Sequence, residues 1–223
     1  MVAFASHLPS QTFNGVLVLD DPGPDAGDAS LALDWVTTRD VPFTLWVRGD
    51  LLPKIEGVVE RSGLEPEPDP TPGMVMRPVS AAPAPPPGVA VRQVTDAASL
   101  IEHVEVLASG GFPGGVARRL LPPSMLHDAD VALFTGFLDG RPVATSLAIR
   151  SGSVAGIYNV GTHRGARRRG VGATVSWAAV DAGRRWGCTM VVLQSSRMGE
   201  SVYRSMGFRT IVEYRLYGPQ EDP

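Results

Sequence analysis

The chain has 223 residues, of which 43% are hydrophobic and 19% are charged, and its formal net charge is −3. These values are typical of a globular protein with a hydrophobic core, and they disfavour general nucleic-acid binding, which needs a broad basic face. No apolar run is long enough for a membrane span, the first residues lack the pattern of a secretion signal, and the single Cys188 excludes an internal disulfide. We therefore expect a cytoplasmic monomer or homodimer that binds neither membranes nor nucleic acid.

The first part of the chain alternates strand and helix patterns. Residues 13–78 read as strand, helix, strand, helix and strand, from "GVLVLD", "DASLALDWVTTRD", "FTLWV", "LLPKIEGVVERSG" and "GMVMRPV". The stretch "SAAPAPPPG" follows and reads as a stiff extended linker, because proline fixes φ and removes backbone donors. We predict a first domain at 1–80, a linker at 81–88 and a second domain at 89–223.

The second part predicts the order β-α-(α)-β-β-β-α-β-α-β. Thr95 and Asp96 cap the first helix, and "LDGRP" forms a hairpin turn, since Asp-Gly suits a tight turn with positive φ. The run "TMVVLQSS" is a buried strand, and Gly207 ends the last helix before an alternating strand. The longest predicted helix, "GVGATVSWAAVDAGRRWGC", has an apolar face of Val171, Val175, Ala178, Ala182 and Trp186.

The stretch "RGARRRGVGATV" (164–175) concentrates positive charge and small residues just before that helix. A strand that runs into a glycine-rich loop and then a helix forms an anion site, because free amides at the helix start point outward and the dipole favours negative charge. Gly170 and Gly172 allow the backbone to approach a ligand closely, and the arginines offer bidentate donors to phosphate. A solvated basic run or a nucleic-acid contact are the alternative interpretations.

These motifs resemble those of the GNAT acyltransferases, which use acetyl-CoA. The family signature, Gln/Arg-x-x-Gly-x-Gly/Ala, resembles Arg167, Gly170 and Gly172 in "NVGTHRGARRRGVGATV", and "LQSSRMGESVYRSMGF" is similar to its strand, polar residue, helix, Tyr and Gly-Phe. The similarity covers about residues 89–217. It implies an α/β (α+β) GNAT fold, with a mixed, mainly antiparallel central sheet flanked by helices, preceded here by a smaller βαβαβ half-domain.

The resemblance also implies roles for individual residues. Tyr203 matches the tyrosine that protonates the departing CoA thiolate, while Ser196 stands where many relatives contact pantetheine through Asn. The backbone of Val160, Gly161 and Thr162, where the fourth strand splays from the fifth, should meet the acetyl group and the pantetheine arm. Backbone amides of the loop should cradle the pyrophosphate, with Arg167 beside them; the cradle comprises Arg168, Arg169, Gly170, Val171, Gly172 and Ala173. No metal is implied.

The general base is not evident. Many relatives use a Glu on the fourth or fifth strand, but "SVAGIYNVGT" and "TMVVLQSS" contain no carboxylate. The polar residues nearest the expected site are Tyr158 and Asn159. Candidates outside these strands are His127, Asp128 and Asp130 before the second strand, and Glu102, His103 and Glu105 on the first helix. A water chain or an already neutral substrate would also serve.

The first domain has the element order of the second from its fourth strand onward, and we interpret it as a degenerate copy. Its loop "DDPGPDAGDA" has acidic residues and prolines where the second domain has "RRRGVGA", and its last helix offers Val58 and Val59 where the tyrosine is expected. Carboxylates repel pyrophosphate, so this half should not bind CoA and should cover the catalytic domain or wall the acceptor pocket. An unrelated small α/β cap is the alternative.

The leading functional hypothesis is an N-acetyltransferase that moves an acetyl group from acetyl-CoA to an amine by direct attack in a ternary complex. The alternative is a catalytically inactive CoA-binding sensor or partner-binding module. The absent carboxylate and Ser196 favour the sensor, whereas Tyr203 favours the enzyme. The acceptor, small molecule or peptide, stays open.

Overall fold

The computed structural model of the chain describes residues 1–23, 26–110 and 114–219. The strands are β1 (Val2–Ala5), β2 (Asn14–Val18), β3 (Thr44–Arg48), β4 (Leu64–Pro66), β5 (Thr71–Met76), β6 (Val89–Gln93), β7 (Val131–Leu138), β8 (Arg141–Ser151), β9 (Val154–Thr162), β10 (Met190–Gln194) and β11 (Arg209–Pro219). The helices are α1 (Gly27–Thr37), α2 (Leu52–Ser62), α3 (Ala97–Ser109), α4 (Gly114–Leu120), α5 (Val171–Arg185) and α6 (Arg197–Ser205). They form two compact units, Met1–Gly73 with Thr210–Pro223, and Met74–Arg209.

In the first unit the strand order is β1, β2, β3 and β11, with β4 pairing on β11. Strands β2 and β3 are parallel, as their connection through α1 requires, and β1 is antiparallel to β2. Buried side chains of β2 and β3, such as Val16 and Leu45, pack against Val36 of α1 and Ile55 of α2. The predicted alternation of strands and helices is confirmed; β1 and β4, of four and three residues, were not predicted.

In the second unit the strand order is β10, β9, β8, β7 and β6, and every pair except β9 with β10 is antiparallel. Apolar residues of α5, among them Val171 and Val175, pack on one face of the sheet. Those of α3, among them Leu100 and Leu107, pack in a separate core with Leu147 of β8. The predicted fold class is confirmed: a mixed, mainly antiparallel sheet flanked by helices.

Local signals in this unit give the predicted structures. Asp96 is the N-cap of α3, where its carboxylate accepts a hydrogen bond from the Ser99 amide at 2.8 Å. Asp139 and Gly140 have φ of 50° and 80°, as a tight hairpin turn requires. On α5 the fully buried face includes Ala179, whereas the predicted face residue Ala178 is only partly buried.

The division of the chain differs from the predicted boundaries at 80 and 89. Strand β11 joins the first unit from Thr210 onward, because it pairs antiparallel with β3 and β4; Tyr214 lies opposite Arg48. The predicted linker lies within the second unit, where the Val89 amide donates to the Pro86 carbonyl and the Asp139 amide to the Gly88 carbonyl. Proline content indicated an extended segment there, but the partner of a distant strand is not readable from local sequence.

Candidate active site

Strands β9 and β10 separate within the second unit. Their parallel pairing joins Val154 to Met190, Ala155 to Val191 and Gly156 to Val192. In the described part of the chain β9 continues six residues beyond this pairing, to Thr162, whereas β10 ends at Gln194. The family resemblance implied a splay at this place, and among the described residues it leaves one edge of β9 without a strand neighbour, so its amides and carbonyls can meet a ligand.

A β-bulge deforms β9 immediately beyond the splay. On the β8 side Thr145 pairs with Gly161 and Leu147 pairs with Tyr158, so that Ser146 alone faces the two residues Asn159 and Val160. Asn159 has a φ of 52°, in the left-handed region. The bulge turns the backbone at Val160 out of the regular ladder, at the residue predicted to meet the acetyl group.

The amino terminus of α5 lies beside the end of β9. A Cβ built on Gly172 would come within 2.8 Å of Thr162 Oγ1, so helix and strand approach closely here. Gly170 is the N-cap, with a φ of 80°, and a Cβ on it would meet Pro86 at 2.8 Å. First-turn amides of an α-helix have no intrahelical acceptor, so the amides from Gly170 to Ala173, within the predicted cradle, are available to an anion.

The arginines of the loop differ in their surroundings. Arg167 lies between strand and helix, with Nε donating to the Thr162 carbonyl at 3.3 Å and Nη1 lying 3.7 Å from the sulfur of Met198. Arg169 lies 3.9 Å from the carboxylate of Asp139. Arg168 has a φ of 60° and is exposed. All three side chains therefore remain largely in solvent, where they add positive potential to the loop.

Tyr203 of α6 is buried and lies next to the first turns of α5. Its ring packs edge-on against Phe208, with 5.8 Å between centroids, and its hydroxyl is hydrogen-bonded to Ser176. Ser176 in turn donates to the Gly172 carbonyl at 2.8 Å. Burial raises the pKa of Tyr203, so the phenol keeps its proton at neutral pH.

Ser196, a predicted site residue, has a structural role in this arrangement, and Cys188 lies in the core of the same unit. The hydroxyl of Ser196 is the N-cap of α6, where it accepts a hydrogen bond from the Gly199 amide at 3.3 Å. Cys188 is buried, and burial raises the pKa of its thiol, which disfavours a nucleophilic role. Among the described residues no group of His, Cys, Asp and Glu is arranged to hold a metal ion.

Asp130, a candidate base before β7, lies far from the bulge. The Asp130 carboxylate is bound to Arg150, which is five residues along β8 from Thr145, a distance of about 17 Å. Asp128 accepts a hydrogen bond from the Asp130 amide at 2.9 Å. His103 is fully buried, and burial lowers its pKa to about 4, so it is a poor acceptor for an ammonium proton.

Sequence reasoning missed two adjacent hydroxyls on β8. Thr145 donates to the Asn159 carbonyl at 2.9 Å, and Ser146, on the opposite face, donates to the Val175 carbonyl of α5 at 2.7 Å. These bonds fix the bulge and the first turns of α5 from one strand. Adjacent hydroxyl residues inside the apolar run "PVATSLAI" were the available signal.

No described helix combines the length and apolarity that a bilayer span requires.

Comparison with known proteins matches residues 104–208 to the family model described as "Acetyltransferase (GNAT) family". Among curated proteins no match was found.

Solved structures share the fold. A GCN5-related N-acetyltransferase from Kribbella flavida is similar with a TM-score of 0.74 and 19% identity, over 97% of this chain and 85% of that one. Another, from Sphaerobacter thermophilus, has a TM-score of 0.67 and 20% identity, over 87% and 68%. A tandem GNAT protein from the clavulanic acid biosynthesis pathway has a TM-score of 0.61 and 14% identity, over 90% and 72%. Residues 104–208 therefore form a domain of the GNAT acetyltransferase family.

Proposed function

We propose that the protein is an N-acetyltransferase that uses acetyl-CoA and an amine acceptor. The observation that carries the proposal is the placement of the splayed, bulged end of β9 beside the amino terminus of α5, with Tyr203 packed behind it. Acetyl-CoA would supply a thioester, whose acetyl group passes to the amine by direct attack in a ternary complex. The family match supports the reaction class.

The residues present fit this co-substrate. Gly170 and Gly172 let the loop pack closely on Pro86 and Thr162, since a Cβ at either glycine would come within 2.8 Å of them, and the adjoining amides from Arg168 to Ala173 would bind the pyrophosphate. Val160, Gly161 and Thr162 would contact the acetyl group and the pantetheine arm through their backbone. The Ser196 hydroxyl would contact pantetheine only through the lone pair or proton that its capping bond leaves available.

Each residue's part in the transfer follows from its chemistry. The Val160 amide would polarise the thioester carbonyl, because a fixed donor stabilises the negative charge that develops on oxygen. Tyr203 would donate its proton to the departing thiolate; a phenol has a pKa near 10 and a thiol near 8.5, so the phenol stays protonated at neutral pH, and the transfer is uphill by about 1.5 pKa units before the tyrosinate regains a proton from solvent. The acceptor amine would lose its proton to solvent or to another group of the acceptor molecule. A positioned acid such as Tyr203 is worth roughly 10²–10⁴ in rate.

The test separates catalysis from binding. Calorimetric titration with acetyl-CoA measures binding, and thiol release over a panel of primary amines measures turnover. Tyr203→Phe should lower kcat by about 10²-fold or more while acetyl-CoA affinity stays within about twofold. Equal loss of both would mean that the ring is only structural, and binding without turnover on any amine would favour the sensor.

A further inference from the structure

The α3-facing side of the second unit contains a buried polar layer that the proposed reaction does not use. His103, Thr135 and Thr145 are all buried there, while the neighbouring residues Leu133 and Leu147 of the same two strands are apolar. Burying hydroxyls and an imidazole costs free energy unless they are hydrogen-bonded. A polar layer at this one level of an apolar core therefore calls for a physical reason.

One end of this polar layer, Thr145, contacts the bulge of β9. His103 Nδ1 lies 3.1 Å from Thr135 Oγ1, and Thr135 lies directly opposite Thr145 on the neighbouring strand. Side chains in such pairs have Cβ atoms about 4.5–5.5 Å apart, so the two threonines are packing neighbours, and no hydrogen bond joins them among the described residues. Thr145 Oγ1 then donates to the Asn159 carbonyl at 2.9 Å and lies 3.5 Å from a Cβ built on Gly161.

We infer that Thr145 is a positioning residue for acetyl transfer, which holds the bulge at Asn159 in the geometry that presents the Val160 amide, and that His103 supports it through Thr135. The kinetic consequence rests on the proposed function. The left-handed φ of Asn159 is an uncommon conformation for a residue with a side chain, and the bond from Thr145 restrains that residue's carbonyl.

The geometry explains why residue 145 needs a hydroxyl and not a methyl group. When Nδ1–H of His103 donates to Thr135, it holds that side chain beside Thr145 on the facing strand, and the hydroxyl hydrogen of Thr145 goes to the Asn159 carbonyl. In this tautomer His103 Nε2 carries no proton and can only accept, and among the described residues it has no hydrogen-bond partner. An unsatisfied buried acceptor costs about 1–3 kcal/mol, a cost that the fold carries while His103 holds Thr135 beside Thr145.

The kinetic experiment compares Thr145→Val with Thr145→Ser. Valine keeps the shape and removes the donor, so kcat for thiol release should fall about 10–100-fold, since a small misplacement of the Val160 amide has a large effect on rate. The KM for acetyl-CoA should stay within about twofold, and serine should restore most of kcat. Thr189→Val is the matched control, because it removes an exposed threonine hydroxyl that bonds the Ser153 carbonyl elsewhere in the unit.

Wild-type kcat in Thr145→Val, or equal loss of kcat and acetyl-CoA affinity, would overturn the inference. A double-mutant cycle with His103→Leu tests the support from α3. The effects of the two substitutions on kcat should be less than additive, and additive effects would show that His103 does not support Thr145. His103→Asn, which keeps a donor near the Nδ1 position, should lose less than the leucine variant.

A second readout is independent of the reaction. In ¹⁵N-labelled protein, Thr145→Val, Thr135→Val and His103→Leu should each shift the amide resonances of Val160 and Gly161, whereas Thr189→Val should not. If the wild type releases no thiol with any amine, the proposed function fails, and these shifts alone decide whether His103, Thr135 and Thr145 position the bulge. Unchanged Val160 and Gly161 resonances in the folded variants would refute it.

Discussion

Lowering the pH should destabilise the second unit through His103. Its side chain is fully buried, and burial lowers its pKa to about 4 from an ordinary value of 6.5. Protonation would place a positive charge among Leu100, Val104 and Leu107, where the only polar contact to the ring that the structure gives among its described residues is Thr135. The folded state therefore disfavours the imidazolium.

The sign follows from proton binding in the two states. Between pH 6.5 and pH 4 the unfolded chain binds a proton at this residue and the folded chain does not. The contribution of neutral His103 to the free energy of unfolding is therefore fully present above pH 6.5 and is lost as the pH is lowered. The interval from 6.5 to about 4 corresponds to a loss of about 3 kcal/mol in the free energy of unfolding. Below pH 4 this contribution levels off.

Urea unfolding of the wild type and of His103→Asn, at pH values from 7.5 to 4.5, measures the effect. Asparagine does not titrate, so the stability difference between the two proteins should shrink by about 2–3 kcal/mol over this range, while all other titrating groups are common to both. A difference that is the same at pH 7.5 and pH 4.5 would refute the reasoning, since it would mean that the imidazole is accessible to water or to an unrecognised anionic partner.

Three further outcomes are expected. Gly172→Asp should abolish acetyl-CoA binding in calorimetry while the far-UV spectrum shows a folded protein, because its Cβ would press on Thr162 Oγ1, 2.8 Å away, and its negative charge would lie beside the amides of the pyrophosphate cradle; unchanged affinity would show that another loop binds. Asn14→Leu should lower the free energy of unfolding by about 2–4 kcal/mol, because the buried Asn14 amide donates to the carbonyls of Leu8, Ser10 and Pro42; a change below about 1 kcal/mol would contradict this. Calorimetry should also give one acetyl-CoA per chain, and two would show that the first unit binds as well.

Much of this fold could be predicted because its signals are local. The Asp96 cap, the Asp139–Gly140 turn and the apolar run of β10 each depend on a few neighbouring residues, and each has the expected structure. The loop before α5 could be found for the same reason, since its glycines and arginines are contiguous. The order of elements followed from these segments without any knowledge of their partners.

The details that shape the candidate site depend on pairing across strands. The bulge at Asn159 and Val160 exists because Ser146 alone faces them, a register that no property of β9 by itself reveals. The separation of the candidate bases has the same origin, since Asp130 reaches Arg150 at the far end of β8. Strand register is set by both partners together, and a single sequence carries only the propensity of each.

The two units apply different loop chemistry to the same strand–helix–strand motif. In each unit a strand, a loop and a helix lead to a second strand parallel to the first, and an antiparallel strand pairs with the first strand on its other edge. We propose that only the second unit kept an anion site. In the first, the Gly23 amide donates to the Asp21 carboxylate at 3.2 Å, and Asp21 also pairs with Lys54. Pro24 and Asp25 of that loop lie outside the described residues.

The neighbouring strand differs in the same direction. The second unit has Thr145 and Ser146 on β8, which bond the bulge and α5, whereas β1 of the first unit reads "VAFA" and offers no side-chain hydroxyl. An amide already bonded to a carboxylate does not attract a diphosphate, and a strand without donors cannot restrain a bulge. On the proposed function, binding capacity in this architecture would depend on a few loop amides and two hydroxyls, and much less on the motif that presents them.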